Sequence, residues 1–525
     1  MPASLLLKTK IWCLALLVFV MSANLSFAQE PVKTFTNDFK IKGFHLDLRI
    51  QVMKPEALKS FALKLSKSGV NTLIMEYEAT FPFEKHPLIS NRYAYTKAEI
   101  ADFVKYCSGL GIDVIPLQQS FGHVEYILRF PKYARLRDSN KDYSQVNPME
   151  EKLARELFKD LFTEMAELHP SKYFHIGCDE TRLLGVGPKS KAKMEKFGVG
   201  KLYGDYVKLI CDIVLEMGKV PVLWADIALK HPESLKSLPK GVVFVDWNYG
   251  WDLNKFGDHK KLMESGFEVW GAPSLRSSPD NYNLTTWEKH FGNIKDFIPQ
   301  ARNLGYTGML MTSWSTSGVY SYLYESGSDI IDLYAVRRVY PLSGFNILLA
   351  AYLKGMNDTR PLDIDQFIEE YTKENYGFSK EQSQRFFKAL TAVPYQISQG
   401  KVSEVKSMSV KQLLDSVKQV EKVFADLKPL KNKEEFEHYR VMAKTRSLYL
   451  TYQNIEQQAN DPQFTASKRR LLLPELRTII TETGKVNKSY LKLNKRDFYS
   501  SELAMDNDLR VVKMQLLYDR LSGNR

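Results

Sequence analysis

The chain has 525 residues, 73 basic and 61 acidic side chains, a formal net charge of +12 and 44% apolar residues. That is length enough for two or three domains and a large core, in the ordinary globular range of composition. The basic excess is spread along helical stretches without a basic–aromatic nucleic-acid motif, so it reads as solvated faces with a weak general attraction to anionic surfaces.

The amino terminus reads as an export signal. Lys8 and Lys10 precede an apolar run over residues 11–21, and Ser26-Phe27-Ala28 stand before Gln29. This predicts a signal peptide cleaved after Ala28, and hence a periplasmic or secreted protein. The run is short for a retained membrane anchor, and nothing later in the chain is long and apolar enough to span a bilayer. Cleavage removes two lysines, taking the charge from +12 to +10. Cys107, Cys178 and Cys211 remain, odd in number and scattered in apolar contexts. They form neither a disulfide framework nor a zinc pattern, and are expected to be buried thiols.

From residue 41 to about 350, short continuous apolar runs alternate with helical stretches. The predicted strands cover residues 41–48, 70–76, 112–117, 173–177, 220–224, 242–247, 267–270 and 309–314. A helix is predicted after each, the last over 330–352. Apolar runs of this kind fit a parallel sheet buried on both faces. Eight such repeats fit a (β/α)8 TIM barrel better than an open doubly wound sheet. The expected organisation is a signal peptide over 1–28, a barrel over 29–360 and an all-α C-terminal domain over 361–525. The last rests on amphipathic stretches at 412–427, 434–457, 468–493 and 501–521.

Polar and aromatic residues gather where the strands end: Asp47 and Arg49, Glu76 to Glu78, Gln118 to His123, Asp179 and Glu180, Trp224 and Asp226, Trp247 and Tyr249, Trp270, and Trp314. In a barrel these ends meet on one face, where active sites sit. Carboxylates, a His and several Trp around one cavity suit a sugar: rings stack on the C–H face while acids and amides grip hydroxyls. The centre of the pattern is Tyr173-Phe174-His175-Ile176-Gly177-Cys178-Asp179-Glu180. An adjacent Asp-Glu pair ordinarily starts a helix. Beyond a strand that breaks at Gly177, both can face one cavity, and two carboxyls sharing a cavity split their pKa values into a charged group and a proton donor.

The stretch from His175 to Glu180 resembles the H-x-G-x-D-E signature of glycoside hydrolase family 20, the β-N-acetylhexosaminidases, in their hexosaminidase D type. Phe44 to Leu48, Ile74 to Glu78 with Phe81-Pro82, Ile115 to His123, and Thr312-Ser313-Trp314 support the likeness. It spans about residues 41–350 and says nothing of the C-terminal helices. The resemblance implies retaining, substrate-assisted hydrolysis of a glycan ending in an N-acetylhexosamine, GlcNAc or GalNAc, with no cofactor or metal. It implies Glu180 as general acid and base, with a raised pKa, and Asp179 as the ionised group that orients the acetamido N–H. Trp224, Trp247 and Trp314 would wall the pocket. Tyr249, or else Tyr282, would grip the acetamido oxygen. His123 and His175 would orient the acids, and Asp226 and Glu78 would bind hydroxyls. The chain departs from the family at Cys178, where many members have Gly, and at Ser315-Thr316, where many place a carboxylate; the family's usual amino-terminal accessory domain is also missing. Two other readings stay open: a catalytically silent glycan-binding barrel, and a metal-dependent hydrolase using His45, Asp47, His123, His175 and Asp179 as ligands.

Overall fold

The computed structural model describes residues 38–316, 338–392, 397–398, 401–402 and 408–523. Residues 1–37, with the predicted signal peptide, and residues 317–337, which include the start of the last predicted barrel helix, lie outside them. Nine parallel strands wind in chain order: β1 (Ile41–Asp47), β2 (Thr72–Glu76), β3 (Asp113–Leu117), β4 (Tyr173–His175), β5 (Val220–Trp224), β6 (Val243–Trp247), β7 (Glu268–Ala272), β8 (Ser274–Arg276) and β9 (Gly308–Ser313). β9 pairs back onto β1, from Ile41↔Gly308 to Leu46↔Ser313, and closes the sheet. β7 and β8 are one broken staircase: both pair with β9, and Pro273 between them has no N–H to give the ladder. The barrel is therefore eight-stranded, as expected. The β8 step was not read from the sequence because Pro273 interrupts the apolar run.

Alternation along the strands sorts side chains into two cores. Ile74, Ile115, Val222, Val243, Val245 and Leu310 point into the barrel, while Leu73, Val114, Leu223 and Phe244 face the surrounding helices. Trp270 and Tyr173 fill the lower interior, edge to face at 5.1 Å between ring centroids. Gly308 makes room for them, since a Cβ there would stand 2.6 Å from Trp270. Trp270 thus belongs to the packed interior, with its Nε1 donating to Glu268, and takes no part in the mouth. The outer helices begin where the sequence signals them: Pro55 opens Pro55–Lys67, and Thr96 with Glu99 forms a capping box before Lys97–Gly109.

Beyond the helix Asn346–Asn357 the described structure is helical apart from the two-residue strands Ile397–Ser398 and Lys401–Val402. The long helices Val410–Asp426, Lys433–Ala459, Ala466–Asn494 and Ser500–Ser522 pack as successive antiparallel neighbours. They reach the barrel through a buried polar network: Glu502 accepts from the Gln51 backbone N–H at 2.6 Å, and Arg338 bridges Glu502 and Asp506 at 3.4 and 3.1 Å. No helix among the described residues is long and apolar enough to cross a membrane.

Cys107, Cys178 and Cys211 are all buried, and burial pushes all three thiols up, that of Cys107 to about 12. Thiols react as thiolates. In protein lacking residues 1–28, a spectrophotometric thiol reagent should therefore label none of the three in the native state and all three in denaturant.

Candidate active site

The mouth is built by backbone that leaves the strands in unusual conformations. After β4, Gly177 and Cys178 have φ of 70° and 72°, and Glu180 has 45°. Cys178 adopts the left-handed region that a glycine would enter without strain, which gives the departure at this position a structural meaning. Across from this turn runs the loop after β3, where His123 also has positive φ, 54°. The two loops touch backbone to backbone: a Cβ on Gly122 would stand 2.2 Å from the Asp179 carbonyl oxygen. Tyr203 donates to the Cys178 carbonyl and Tyr206 to the Ser120 carbonyl, pinning both loops to the helix Val199–Glu216.

His123 is brought between the two acids. Its Nε2 lies 3.3 Å from Asp179 Oδ2 and 3.3 Å from Glu180 Oε2. Burial lowers its pKa, but the two carboxylates outweigh burial and hold it well above the ordinary histidine value. The other oxygen of Glu180 accepts from Arg182 at 2.7 Å. Burial raises the Glu180 carboxyl, yet His123 and Arg182 prevail and hold it at about 2. The expectation of a raised Glu180 in the resting protein is therefore corrected. Two cations meet this side chain, and the upward shift falls on a third carboxyl. Asp226 is wholly buried; burial and the nearby Asp179 charge push it up to about 7, despite Lys230 at 3.9 Å. Its Oδ2 accepts the Glu180 backbone N–H at 3.2 Å. Asp226 is thus placed beneath Glu180, outside the lining of the cavity, with its Oδ1 unpartnered among the described residues.

On the opposite wall, Asp47 at the end of β1 accepts from the Arg49 guanidinium, at 3.0 Å to each oxygen, and from Ser315 N–H and Oγ–H, both at 2.8 Å. Burial raises its carboxyl, but these donors hold it at about 2. Arg49 stands 5.2 Å above the Trp314 ring and faces the cavity. Trp314 Nε1 donates to the Tyr249 hydroxyl at 2.9 Å. Ser315 is consumed by Asp47, and Thr316 beside it lines the cavity with its buried hydroxyl unpartnered among the described residues.

Together these groups line a cavity of about 590 Å³, within the roughly 300–1,000 Å³ of small-ligand sites. His123, Asp179, Glu180, Trp224, Trp247, Tyr249 and Trp314 all line it, as expected. Asp179 Oδ1, Trp247 Nε1 and Thr316 Oγ1 are buried without a hydrogen-bond partner among the described residues, and such atoms are available to a ligand. His175 is corrected: it lies one layer below, its ring 4.6 Å from Trp224, and its Nδ1 accepts the Gly177 N–H at 3.1 Å. It sets the turn and the Trp224 ring but touches neither acid. Burial holds it well below the ordinary value, hence neutral. Glu78 is also buried off the cavity, 4.0 Å from Arg49. Tyr282 sits among the C-terminal helices, away from the mouth. Arg49, Arg182, Trp251 and Phe256 line the cavity but were not named as site residues. For Arg49 the signal was present, a cation two residues past a strand-end Asp; Arg182, Trp251 and Phe256 lie on loops whose course the sequence does not give.

The ligand set of the metal reading does not converge. His45 Nε2 is engaged with Glu76 at 2.7 Å, His175 faces the Gly177 turn, and no metal-holding group of three His, Cys, Asp or Glu occurs among the described residues.

A closed parallel barrel whose mouth joins adjacent carboxylates to an aromatic-walled cavity is the architecture of a glycoside hydrolase. Residues 60–314 match the model of glycosyl hydrolase family 20, catalytic domain. Hexosaminidase D of Bos taurus is 30% identical over 299 residues, 54% of this chain and 86% of that one. Hexosaminidase D of Homo sapiens is 30% identical over 306 residues, 55% of this chain and 62% of that one. Among solved structures, a β-N-acetylhexosaminidase from Bacteroides fragilis superposes with a TM-score of 0.48 at 17% identity, over 64% of this chain and 70% of that one. The chain belongs to glycosyl hydrolase family 20.

Two outcomes follow from the geometry. Gly122→Ala drives a methyl into the Asp179 backbone, and misplacement of about 1 Å costs on the order of 100-fold; kcat should fall by that much, and the melting temperature should fall as well, because backbone must move to relieve the contact. Arg182→Ala should move the descending, alkaline limb of the kcat/KM profile upward. The proton that the reaction needs rests on His123 between the two carboxylates, it is lost as pH rises through the pKa of that cluster, and removing the Arg182 charge raises that pKa. The Arg182 side chain is 64% exposed; such pairs are worth about 0.2–1 kcal/mol against about 1.4 per pKa unit, so the shift is roughly half a unit.

Proposed function

We propose that this family 20 hydrolase is a β-N-acetylhexosaminidase that releases terminal GlcNAc or GalNAc from glycans with retention, using the sugar's own 2-acetamido oxygen as nucleophile. One observation supports this above the others: His123 joins Asp179 and Glu180 at an aromatic-walled cavity, and the second oxygen of Asp179 has no partner among the described residues. That oxygen accepts the acetamido N–H, which aligns the acetamido carbonyl with the anomeric carbon. Tyr249, whose oxygen already accepts from Trp314, donates a hydrogen bond through its own O–H to the acetamido oxygen. Trp224, Trp247 and Trp314 hold the ring, and Arg49 and Thr316 meet its hydroxyls.

The resting charge state fits a proton held in reserve. His123 carries it between the two carboxylates. When the leaving oxygen enters beside Glu180 it takes the place of Arg182. Glu180 loses one of its two cations, accepts the proton of His123, and donates it as the C1–O bond breaks. Asp179 remains ionised beside the positive charge that develops on the oxazolinium ring. In the second half, Glu180 draws a proton from water, which attacks the same face of C1 and reopens the ring.

Release of p-nitrophenol from the two β-N-acetylhexosaminides tests this directly. Glu180→Gln should lower kcat on a natural disaccharide by at least about 10³-fold, and less on the aryl glycoside, whose leaving group needs little protonation. Asp179→Asn should cost at least about 10²-fold on both. A thiazoline mimic of the intermediate should inhibit the wild type, and a chelator should leave the rate unchanged. Near-normal turnover by Asp179→Asn would rule out the assisted mechanism; no turnover of either sugar by the wild type would favour a glycan-binding barrel.

A further inference from the structure

The loop after β1 is held differently from its neighbours. The loops after β3 and β4 are pinned from within the barrel, by Tyr206 and Tyr203 of the helix Val199–Glu216. The loop after β1 delivers Arg49 to the cavity and then runs along the turn between the last two C-terminal helices. Met53 pairs with Phe498 in an antiparallel bridge. The Lys54 N–H donates to the Asp497 carbonyl at 2.9 Å, and Lys54 Nζ donates to the Lys495 carbonyl at 2.8 Å.

Gln51 is the junction. It is buried and takes left-handed backbone, φ 55°, which a residue with a side chain keeps only where its surroundings hold it. Its backbone N–H donates to Glu502 Oε2, on the helix Ser500–Ser522, at 2.6 Å. Its side-chain amide donates to the Val339 carbonyl and accepts from Arg276 Nη1 at 2.8 Å. Arg276 in turn donates through Nε to Ser313 Oγ at 2.8 Å, and its carbonyl accepts the Trp314 N–H at 3.1 Å. Glu502 is 3% exposed, with Arg338 beside it at 3.4 Å. Burying a carboxylate is costly unless it is paired and hydrogen-bonded. Here one of its bonds falls on backbone two residues from Arg49, and the Arg49 N–H is itself tied to Asp47 at 2.9 Å.

We propose that Glu502 is a positioning residue for the reaction. Through the Gln51 N–H it sets the backbone that aims Arg49 at the substrate, and the C-terminal helices are thereby a working part of the active site. Glu502 touches no reacting atom; it acts through Arg49 and Asp47. The kinetic form of this proposal rests on the β-N-acetylhexosaminidase reading above, in which Arg49 meets the sugar's hydroxyls. Contacts to hydroxyls away from the breaking bond are made alike in the ground state and the transition state, so weakening them raises KM and leaves kcat nearly unchanged. That signature separates Glu502 from Asp179 and Glu180, whose loss falls on kcat.

The test measures kcat and KM on the p-nitrophenyl β-N-acetylhexosaminides. Glu502→Ala should raise KM by roughly tenfold, the scale of one charge-assisted hydrogen bond, with kcat within about threefold of wild type. Glu502→Gln keeps an oxygen for the Gln51 N–H and should restore most of the loss. Should Glu502→Ala not fold, Glu502→Asp, one methylene shorter, takes its place throughout. In an Arg49→Lys background the same change should raise KM no further, because both substitutions break one path. Tyr376→Phe removes a buried hydroxyl bond to Glu435 elsewhere in the bundle, and should lower the melting temperature without moving KM. A KM unmoved by Glu502→Ala, an effect that adds in full to that of Arg49→Lys, or an equal rise in Tyr376→Phe overturns the proposal. Amide hydrogen exchange decides without turnover. Glu502→Ala should speed exchange of the Arg49 and Ser315 N–H groups, both of which donate to Asp47, and leave the Gly177 N–H as it was. Unchanged exchange at Arg49 and Ser315 overturns the proposal even where neither sugar is cleaved, so its failure and that of the enzyme reading are told apart.

Discussion

The Asp47 carboxylate sits where the barrel closes on itself. It ends β1, takes the Arg49 guanidinium on both oxygens, and draws in Ser315 just past β9. The first and last strands are thereby tied at the level of the mouth, and everything placed there inherits the tie. Trp314 is fixed between Arg49 and Tyr249, and Tyr249 carries the aromatic wall on to Trp247. The anchor is itself buttressed from outside. Gln51, two residues past Arg49, meets Glu502 of the last helix, and Arg276 reaches Gln51 and Ser313. The C-terminal helices therefore bear on the mouth without contributing a group to it.

Charge at the mouth is arranged by pairing in a site that burial would otherwise neutralise. Asp47 and Glu180 are both held near 2 by cations, while Asp226, with only a distant lysine, rises to about 7. Asp47 and Asp226 are equally buried and differ in partners, whereas Glu180 is both paired and partly exposed. On the mechanism proposed above, the proton rests on His123, one hydrogen bond from Glu180, and displacement of Arg182 would move it.

Much of this was legible in the chain. The strands declared themselves because parallel strands buried on both faces are continuous apolar runs, and the convergence of Asp179, Glu180, His123, Trp224, Trp247, Tyr249 and Trp314 followed from topology alone. What the sequence did not disclose depends on loop geometry. That Asp226 turns under Glu180, that His175 points down to the Gly177 turn, and that Arg182 folds back onto the acid are facts about where a backbone goes after a strand ends. The direction of the Glu180 shift was misread for the same reason: it is set by two cations whose approach no spacing reveals. Pro273 hid the short β8 step by breaking the run that would have announced it.

Glu78, His123, Cys178 and Glu180 all take left-handed backbone without being glycines; the last three stand on the loops around the two acids, and Glu78 stands on the turn after β2 beside Arg49. Such residues hold conformational energy that their surroundings must offset. Selection for heat resistance would accordingly find gains at these four positions, since glycine or asparagine relaxes each of them. Those gains would come from the very segments that aim the chemistry. Stability in this barrel is best sought in the outer helices and the C-terminal bundle, and a variant pool enriched at residues 78, 123, 178 or 180 would be one drifting from hydrolysis toward mere persistence.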